Sequence, residues 1–289
     1  MRLIVFIAVH KNVDQVNRLI RALTHPEISI YVHIDRKSII HADDLLPQVR
    51  IINDSVDVTW GTYSQVQATI NALREILIRE RHFDYVTYIS GQDYPIMTND
   101  AILESLEKNR GKELMGFVTL DKQGWEKARI RFERFYFNSY KNPIFKPVGS
   151  LVTFLMHGFG WKRAFYKGMV PYGGSAWWTL SRACIMEILH YLEMHRDFVR
   201  FMKKTIFTDE MIFQSVVMNS RFRNLVVNNN FRFMEWAKIK GNSHPKILTN
   251  CDFNAIVNSG MHFARKFDIG TDEKILDMID DYLVLQNSR

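Results

Sequence analysis

Two pairs of charged residues, Asp209-Glu210 in "FTDEMIFQ" and Arg265-Lys266 in "HFARKFDIG", are the groups in this sequence best suited to chemistry. A carboxylate can take the proton from an attacking hydroxyl. A guanidinium beside an ammonium can neutralise a phosphate, the first as a bidentate fork and the second as a compact point charge. Each pair also has a plainer use. Thr208 has the form of a helix N-cap, and acids in a first helical turn are favoured by the macrodipole, so Asp209 and Glu210 are equivalent on that ground. Runs of like charge usually face water, which makes Arg265-Lys266 a solvated helix edge unless the rest of the chain says otherwise.

The elements that must position these pairs alternate through the first half. "LIVFIAV" (3–9), "SIYVHID" (29–35), "VRIIND" (49–54) and "FDYVTYIS" (83–90) have the apolar density of buried strands. Between them, 14–23, 63–80 and 99–109 carry helical apolar spacing, with Asn99 as the expected cap of the last. Such alternation predicts an α/β fold with a mainly parallel sheet covered by helices. Ligands then belong in the loops at the carboxyl ends of the strands.

Those loops hold His10, Asp35, Trp60, Gly61, Ser64 and Asp93. Asp35 can accept hydrogen bonds from a ribose or a base, or simply open the turn to Lys37. Gly61 marks a close approach of backbone to something, with Thr62 or Tyr63 opening a helix. In "SGQDYP", Asp93 has the plain alternative of an Asx-type turn before Pro95. In the second half, a strand over 175–181, helices near 182–195 and 209–219, a hairpin over 223–236 and a last helix over 271–286 are expected. One domain, 1–289, is the simplest organisation, with 1–120 as a nucleotide-binding half and 121–289 as an acceptor-binding and catalytic half.

Composition narrows the classes. A formal charge of +7 points to an anionic partner, and an aromatic fraction of 13% suits sugar rings and bases as well as cores. Cys184 and Cys251 supply neither a disulfide framework nor metal-ligand spacing, which fits a reducing compartment. Phosphate loops of the GxGxxG or GxxxxGKS/T type are missing, as are HExxH and GxSxG. "MRLIVFIAVHKN" has no small-residue cleavage site after its apolar run and is better suited to a first strand than to a signal peptide. "LVTFLMHGF" (151–159) is too short to span a bilayer.

The motifs "VHIDRKS", "VTWGTYSQVQA", "YISGQDYPI", "GGSAWWTLSR", "TDEMIFQSVVMNS", "HPKILT" and "FARKFD" occur in that order. Together they resemble glycosyltransferase family 14, whose members include core-2/I-branching β-1,6-N-acetylglucosaminyltransferases and peptide O-xylosyltransferases. The resemblance implies a GT-A type fold, a UDP-sugar donor, inversion at the anomeric carbon and independence from metal. In keeping with the last point, no two aspartates stand two positions apart, so the DxD motif that holds a divalent ion in other GT-A enzymes is missing. Within the family, Glu210 corresponds to the general base, and Arg265 and Lys266 to the diphosphate site. Asp209 is expected to hold the loop or touch the acceptor. His10, Asp35, Trp60, Gly61, Ser64 and Asp93 become donor-binding candidates.

"GGSAWWTLSR" sets Trp177 and Trp178 on opposite faces of a strand, one for the core and one as a wall for a sugar, behind a flexible Gly173-Gly174. Two positions depart from the family. Ala176 stands where some xylosyltransferase-like members have an acid. Near 242–248 the branching enzymes have an extra arginine, for which this chain offers His244 or Lys246.

The resulting expectation is transfer of a sugar, N-acetylglucosamine favoured, to a glycan or glycolipid hydroxyl, without metal or other cofactor. A xylosyltransferase or another UDP-hexose transferase is the alternative within the family. Outside it stand a basic nucleic-acid-binding protein, which lacks a recognisable motif, and a catalytically silent sugar-nucleotide or glycan-binding module. The protein is expected to be bacterial and cytoplasmic, with peripheral contact at the inner face of the plasma membrane. The basic, aromatic segment 122–170 would line the acceptor site, lie on that membrane or be a solvated insertion.

Overall fold

A computed structural model describes residues 1–120, 126–136, 146–160, 162–236 and 245–287. Strand β1 (Leu3–Val9), helix α1 (Val13–Ala22), β2 (Ile28–Ile34) and β3 (Val49–Ile51) are followed by α2 (Tyr63–Arg79) and β4 (Tyr85–Ser90). Next come β5 (Asp93–Pro95), α3 (Asn99–Lys108), β6 (Glu113–Thr119), α4 (Glu126–Glu133) and α5 (Lys146–Gly158). The chain continues through β7 (Tyr172–Ser181), α6 (Arg182–Met194), α7 (Arg196–Met202) and α8 (Ile212–Met218). It ends with β8 (Val226–Val227), β9 (Arg232–Met234), α9 (Phe253–Val257), β10 (Phe263–Arg265) and α10 (Lys274–Asn287).

The large sheet has the order β3-β2-β1-β4-β7-β6-β8, and a small one has the order β5-β10-β9. β3, β2, β1 and β4 run parallel, while β7 is antiparallel to both β4 and β6. β1 shows why its sequence is apolar throughout. Ile4 and Phe6 join the core under α2, α6 and α8, whereas Leu3, Val5, Ile7 and Val9 join the core under α1, α3 and α10. Burial on both faces removes the alternation expected of a one-sided strand. This is the mixed α/β sheet, covered on both sides, that the sequence predicts, in keeping with a GT-A-like fold.

Several local expectations change. Thr98, not Asn99, caps α3, its hydroxyl accepting from the Ala101 N–H; the Asn99 amide instead donates to Ala22 O at 3.0 Å. The expected hairpin over 223–236 does not form, because β8 pairs with β6 in the large sheet and β9 with β10 in the small one. Gly173-Gly174 is strand rather than a flexible entry. A Cβ at Gly174 would lie 2.0 Å from Gly116 O across a bulge in the β6–β7 ladder, so this glycine permits a close backbone approach.

Candidate active site

A cavity of about 1090 Å³ opens at the carboxyl ends of β1, β2 and β4, where His10, Asp35 and Ser90 stand. β7 supplies its floor with Gly174, Ala176 and Trp177, and the turn before α8 brings in Asp209 and Glu210. Arg265 and Lys266 close it from the small sheet. Residues far apart in the chain therefore meet at the strand ends, as the topology of such sheets requires.

The cation wall is built by strand pairing. β10 lies antiparallel to β5 with Arg265 opposite Asp93, so backbone register alone puts the two side chains together. Asp93 is fully buried, and its Oδ2 accepts from Ser90 N (2.8 Å) and Ser90 Oγ (2.5 Å) and pairs with Arg265 Nη1 at 3.4 Å. The other side of the guanidinium stacks on Trp177, 4.1 Å from the ring centroid. Lys266 has no acidic partner among the described residues. Burial, then the neighbouring charges of Arg265 and Lys11, pull its pKa below the usual lysine value against the opposing pull of Asp268. Gln15 fastens this loop to α1, donating to Gly91 O (2.8 Å) and Phe267 O (3.2 Å) and accepting from Ile269 N (2.8 Å).

The acidic corner is built differently. Thr208 donates to Thr205 O (2.9 Å) and Met202 O (3.3 Å) and caps nothing, while α8 begins only at Ile212. Asp209 and Glu210 thus lie in a separate turn, Thr208–Glu210, outside any α-helical first turn. Gly61, with φ +73°, explains how that turn is held. Its carbonyl accepts from Phe207 N at 2.8 Å, and a Cβ there would sit 3.1 Å from the Phe207 ring. Trp60 packs edge-on against the same ring, with centroids 4.8 Å apart.

Glu210 is about one-third exposed, and its Oε2 pairs with Arg131 Nη1 at 2.5 Å. Asp209 is 9% exposed, with Oδ1 unpartnered among the described residues. Its burial and the adjacent Glu210 charge push its pKa up to about 7.

The donor candidates divide. His10, Asp35, Trp60, Arg265 and Lys266 line the cavity, as do Trp177, Asp209 and Glu210. Asp35 accepts from the N–H groups of Lys37 and Val58, both at 3.2 Å, and so shapes the turn while facing the cavity. Gly61, Ser64, Asp93 and Trp178 are not on its wall. Ser64 closes the α2 entry turn, accepting from Thr59 N at 2.8 Å. Asp93 lies behind Arg265. Trp178 is fully buried against Phe213 and Tyr88, so it is withdrawn as a sugar contact. Lys246 is engaged by Asp252 (2.5 Å) and Glu235 (3.5 Å), and His244 lies outside the described residues.

Sequence reasoning missed Arg131, Gln65, Tyr88, Met234 and Trp236, which also line the cavity. For Arg131 the only signal was its place in an unassigned basic segment. Among the described residues no group of three or more His, Cys, Asp or Glu is arranged to hold a metal. Asp93, whose Oδ2 pairs with Arg265, is not on the cavity wall.

The profile of the Core-2/I-branching enzyme family matches residues 4–258, most of the chain. The chain belongs to that family. Among its relatives are the xylosyltransferase oxt of Drosophila melanogaster, 22% identical over 93% of this chain and 32% of that protein, and human xylosyltransferase 2, 24% identical over 98% and 34%. The β-glucuronosyltransferase GlcAT14B of Arabidopsis thaliana is 27% identical over 95% of this chain and 64% of that protein. The chain therefore spans about a third of the length of the two xylosyltransferases.

The buried Asp209 generates a pH dependence. Its folded pKa, about 7, lies above the unfolded value of 3.8, so the folded state keeps a proton that the unfolded state has released. Stability then falls as pH rises between those values and levels off above them. Asp209→Asn abolishes that slope: in paired denaturation curves the variant gains stability at about pH 8 and matches the parent at about pH 4. Equal gains at both values would contradict the assignment.

Proposed function

We propose that the protein is an inverting, metal-independent glycosyltransferase acting from a UDP-sugar onto a hydroxyl of a glycan or glycolipid. One observation carries this reading: Glu210 and Lys266, a cation with no acidic partner among the described residues, open on the same cavity. The nucleoside lies toward His10 and Asp35, the diphosphate against Arg265 and Lys266, and the sugar against Trp177. Glu210 takes the proton of the acceptor hydroxyl as that oxygen bonds to the anomeric carbon from the face opposite UDP. The bond from that carbon to the diphosphate breaks, its electron pair leaves with UDP, and the developing charge falls on Arg265 and Lys266. Arg131 fixes one oxygen of Glu210, while the other accepts nothing from the described residues.

Two features support the finer parts of the proposal, and one competes with them. The Asp93 carboxylate backs a guanidinium and does not reach the cavity, which favours side-chain cations over a divalent ion. N-acetylglucosamine remains the first choice of donor sugar because Ala176, on the wall, brings no acid of the kind found in xylosyltransferase-like members. The names of the relatives make xylose and glucuronic acid the competing donors.

Glu210→Gln is expected to lower kcat by about 10²- to 10⁴-fold while UDP affinity stays within a few fold. Undiminished turnover would remove Glu210 from the reaction. Lys266→Ala should weaken UDP binding by about tenfold or more, with uridine binding nearly unchanged; parallel losses on both ligands would rule out a phosphate contact. In excess EDTA, transfer from UDP-N-acetylglucosamine should persist and exceed transfer from UDP-xylose and UDP-glucuronic acid. A manganese requirement would defeat the metal-free mechanism, and a different order of donors would reassign the sugar.

A further inference from the structure

Helix α5 carries its apolar stripe on the wrong side for a packed helix. Leu151, Phe154 and Leu155 share one helical face, with Phe159 just past the helix end in the same spacing, and they are 57%, 72%, 47% and 75% exposed. An amphipathic helix in a globular fold turns such a face to the core. Clustered large apolar side chains facing water mark an interaction surface.

The charge around this stripe selects the partner. From Glu133 to Glu187 the chain has no acidic residue between them and seven Lys or Arg. Segment 122–170 as a whole holds ten Lys or Arg against two acids, more than the +7 excess of the entire chain. Within the fold, Arg163 donates to Phe132 O, Phe201 O (3.0 Å), Lys204 O (2.8 Å) and Thr205 Oγ1 (2.7 Å). That clamp holds the chain that follows α5 beside α4 and the end of α7, where Arg200, Lys203 and Lys204 are exposed, as is Lys162. Several of the segment's basic groups are spent internally: Arg163 in this clamp, Arg129 on Glu133 at 2.8 Å, Arg131 on Glu210 and Lys167 on Asp197, both at 2.5 Å. Lys162, Arg200, Lys203 and Lys204, all exposed, form a cationic margin to the apolar stripe.

We propose that α5 and this margin dock the protein in the plane of an anionic lipid bilayer. Apolar side chains flanked by Lys and Arg fit the boundary between acyl chains and anionic headgroups. A second copy of the chain would bring the same positive field against itself, which opposes pairing through this face. No helix among the described residues is long and apolar enough to cross a membrane, so the contact is peripheral. The geometry places the surface next to chemistry. α4, to which Arg163 is bonded, lines the cavity through Ala128 and Arg131, and Arg131 holds Glu210. A hydroxyl presented from a lipid headgroup would thus approach from the side on which the protein rests.

The test is co-sedimentation of the full chain with phosphatidylglycerol–phosphatidylcholine vesicles and with phosphatidylcholine vesicles, at low salt and at about 0.5 M salt. The parent is expected to pellet with the anionic vesicles, less so at high salt, and to stay in solution with the neutral ones. Phe154→Ser with Leu155→Ser should weaken binding about tenfold or more. Both positions face water, so an unchanged circular dichroism spectrum and Tm would confirm that the variant is folded. Lys162→Glu with Lys203→Glu should weaken binding and remove its salt dependence.

Failure to bind anionic vesicles, or binding indifferent to the Phe154/Leu155 substitutions, overturns the proposal. A concentration-dependent dimer abolished by those substitutions would assign the stripe to a second copy instead. No substrate enters the assay, so its failure leaves the glycosyltransferase reading intact.

Discussion

The buried pair of Asp93 and Arg265 is the interaction on which the candidate site rests. Removing two charges from water is costly and is offset only when geometry and further hydrogen bonds are good. Here the backbone register of β5 and β10 sets the partners opposite each other, Ser90 supplies two donors to one carboxylate oxygen, and Trp177 covers the guanidinium. Asp93 Oδ1 and Arg265 Nε stay buried without partners among the described residues, so the compensation is partial. Arg232 lies buried nearby on β9, where desolvation lowers its pKa to about 10 in spite of the opposing influence of Asp93. Two guanidiniums thus share the field of one carboxylate, and Lys266 adds a third positive charge beside them. The wall keeps a positive surplus in a half-buried setting, where a charge acts more strongly than in water.

The acidic side of the cavity obeys a different constraint. Glu210 is held by one partly exposed ion pair, a kind of contact that contributes little to stability and adjusts easily. Its backbone, by contrast, is fastened at Gly61 and Phe207, where a positive-φ glycine lets two loops touch. A fixed cation wall therefore faces a carboxylate that is anchored by main chain and free to adjust by side chain. Asp209, next to it, has nowhere to put its charge and resists ionisation until about pH 7.

Local pattern was enough for the regular elements of the first half. β1, α1, β2 and α2 fall within a residue or so of their apolar runs, because burial on both sheet faces and helical spacing are written in consecutive residues. The second half was harder to read. So was β6, Glu113–Thr119, at the end of the first half, which is interrupted by Gly116 and is a strand through its pairing with β7 and β8. The run 223–236 looks like a hairpin, yet Asn228 accepts from Phe117 N at 2.7 Å and Phe231 takes a positive φ, sending β8 and β9 to different sheets. The two tryptophans alternate as strand geometry demands, but only packing decides that Trp178 fills the core while Trp177 meets Arg265.

By itself, the sequence determined the alternating α/β plan, the strand-end loops as the place for a ligand, and the two charged pairs as the candidate chemistry. Those are properties of residue type and short spacing. Tertiary structure decided which of those residues share a cavity, that Asp93 supports Arg265 from behind, and that Arg131 reaches Glu210 across 79 positions of chain. It also decided that the stripe on α5 faces water. Such outcomes depend on strand order and on which neighbours compete for each charge or apolar surface, and neither is encoded in any short run of residues.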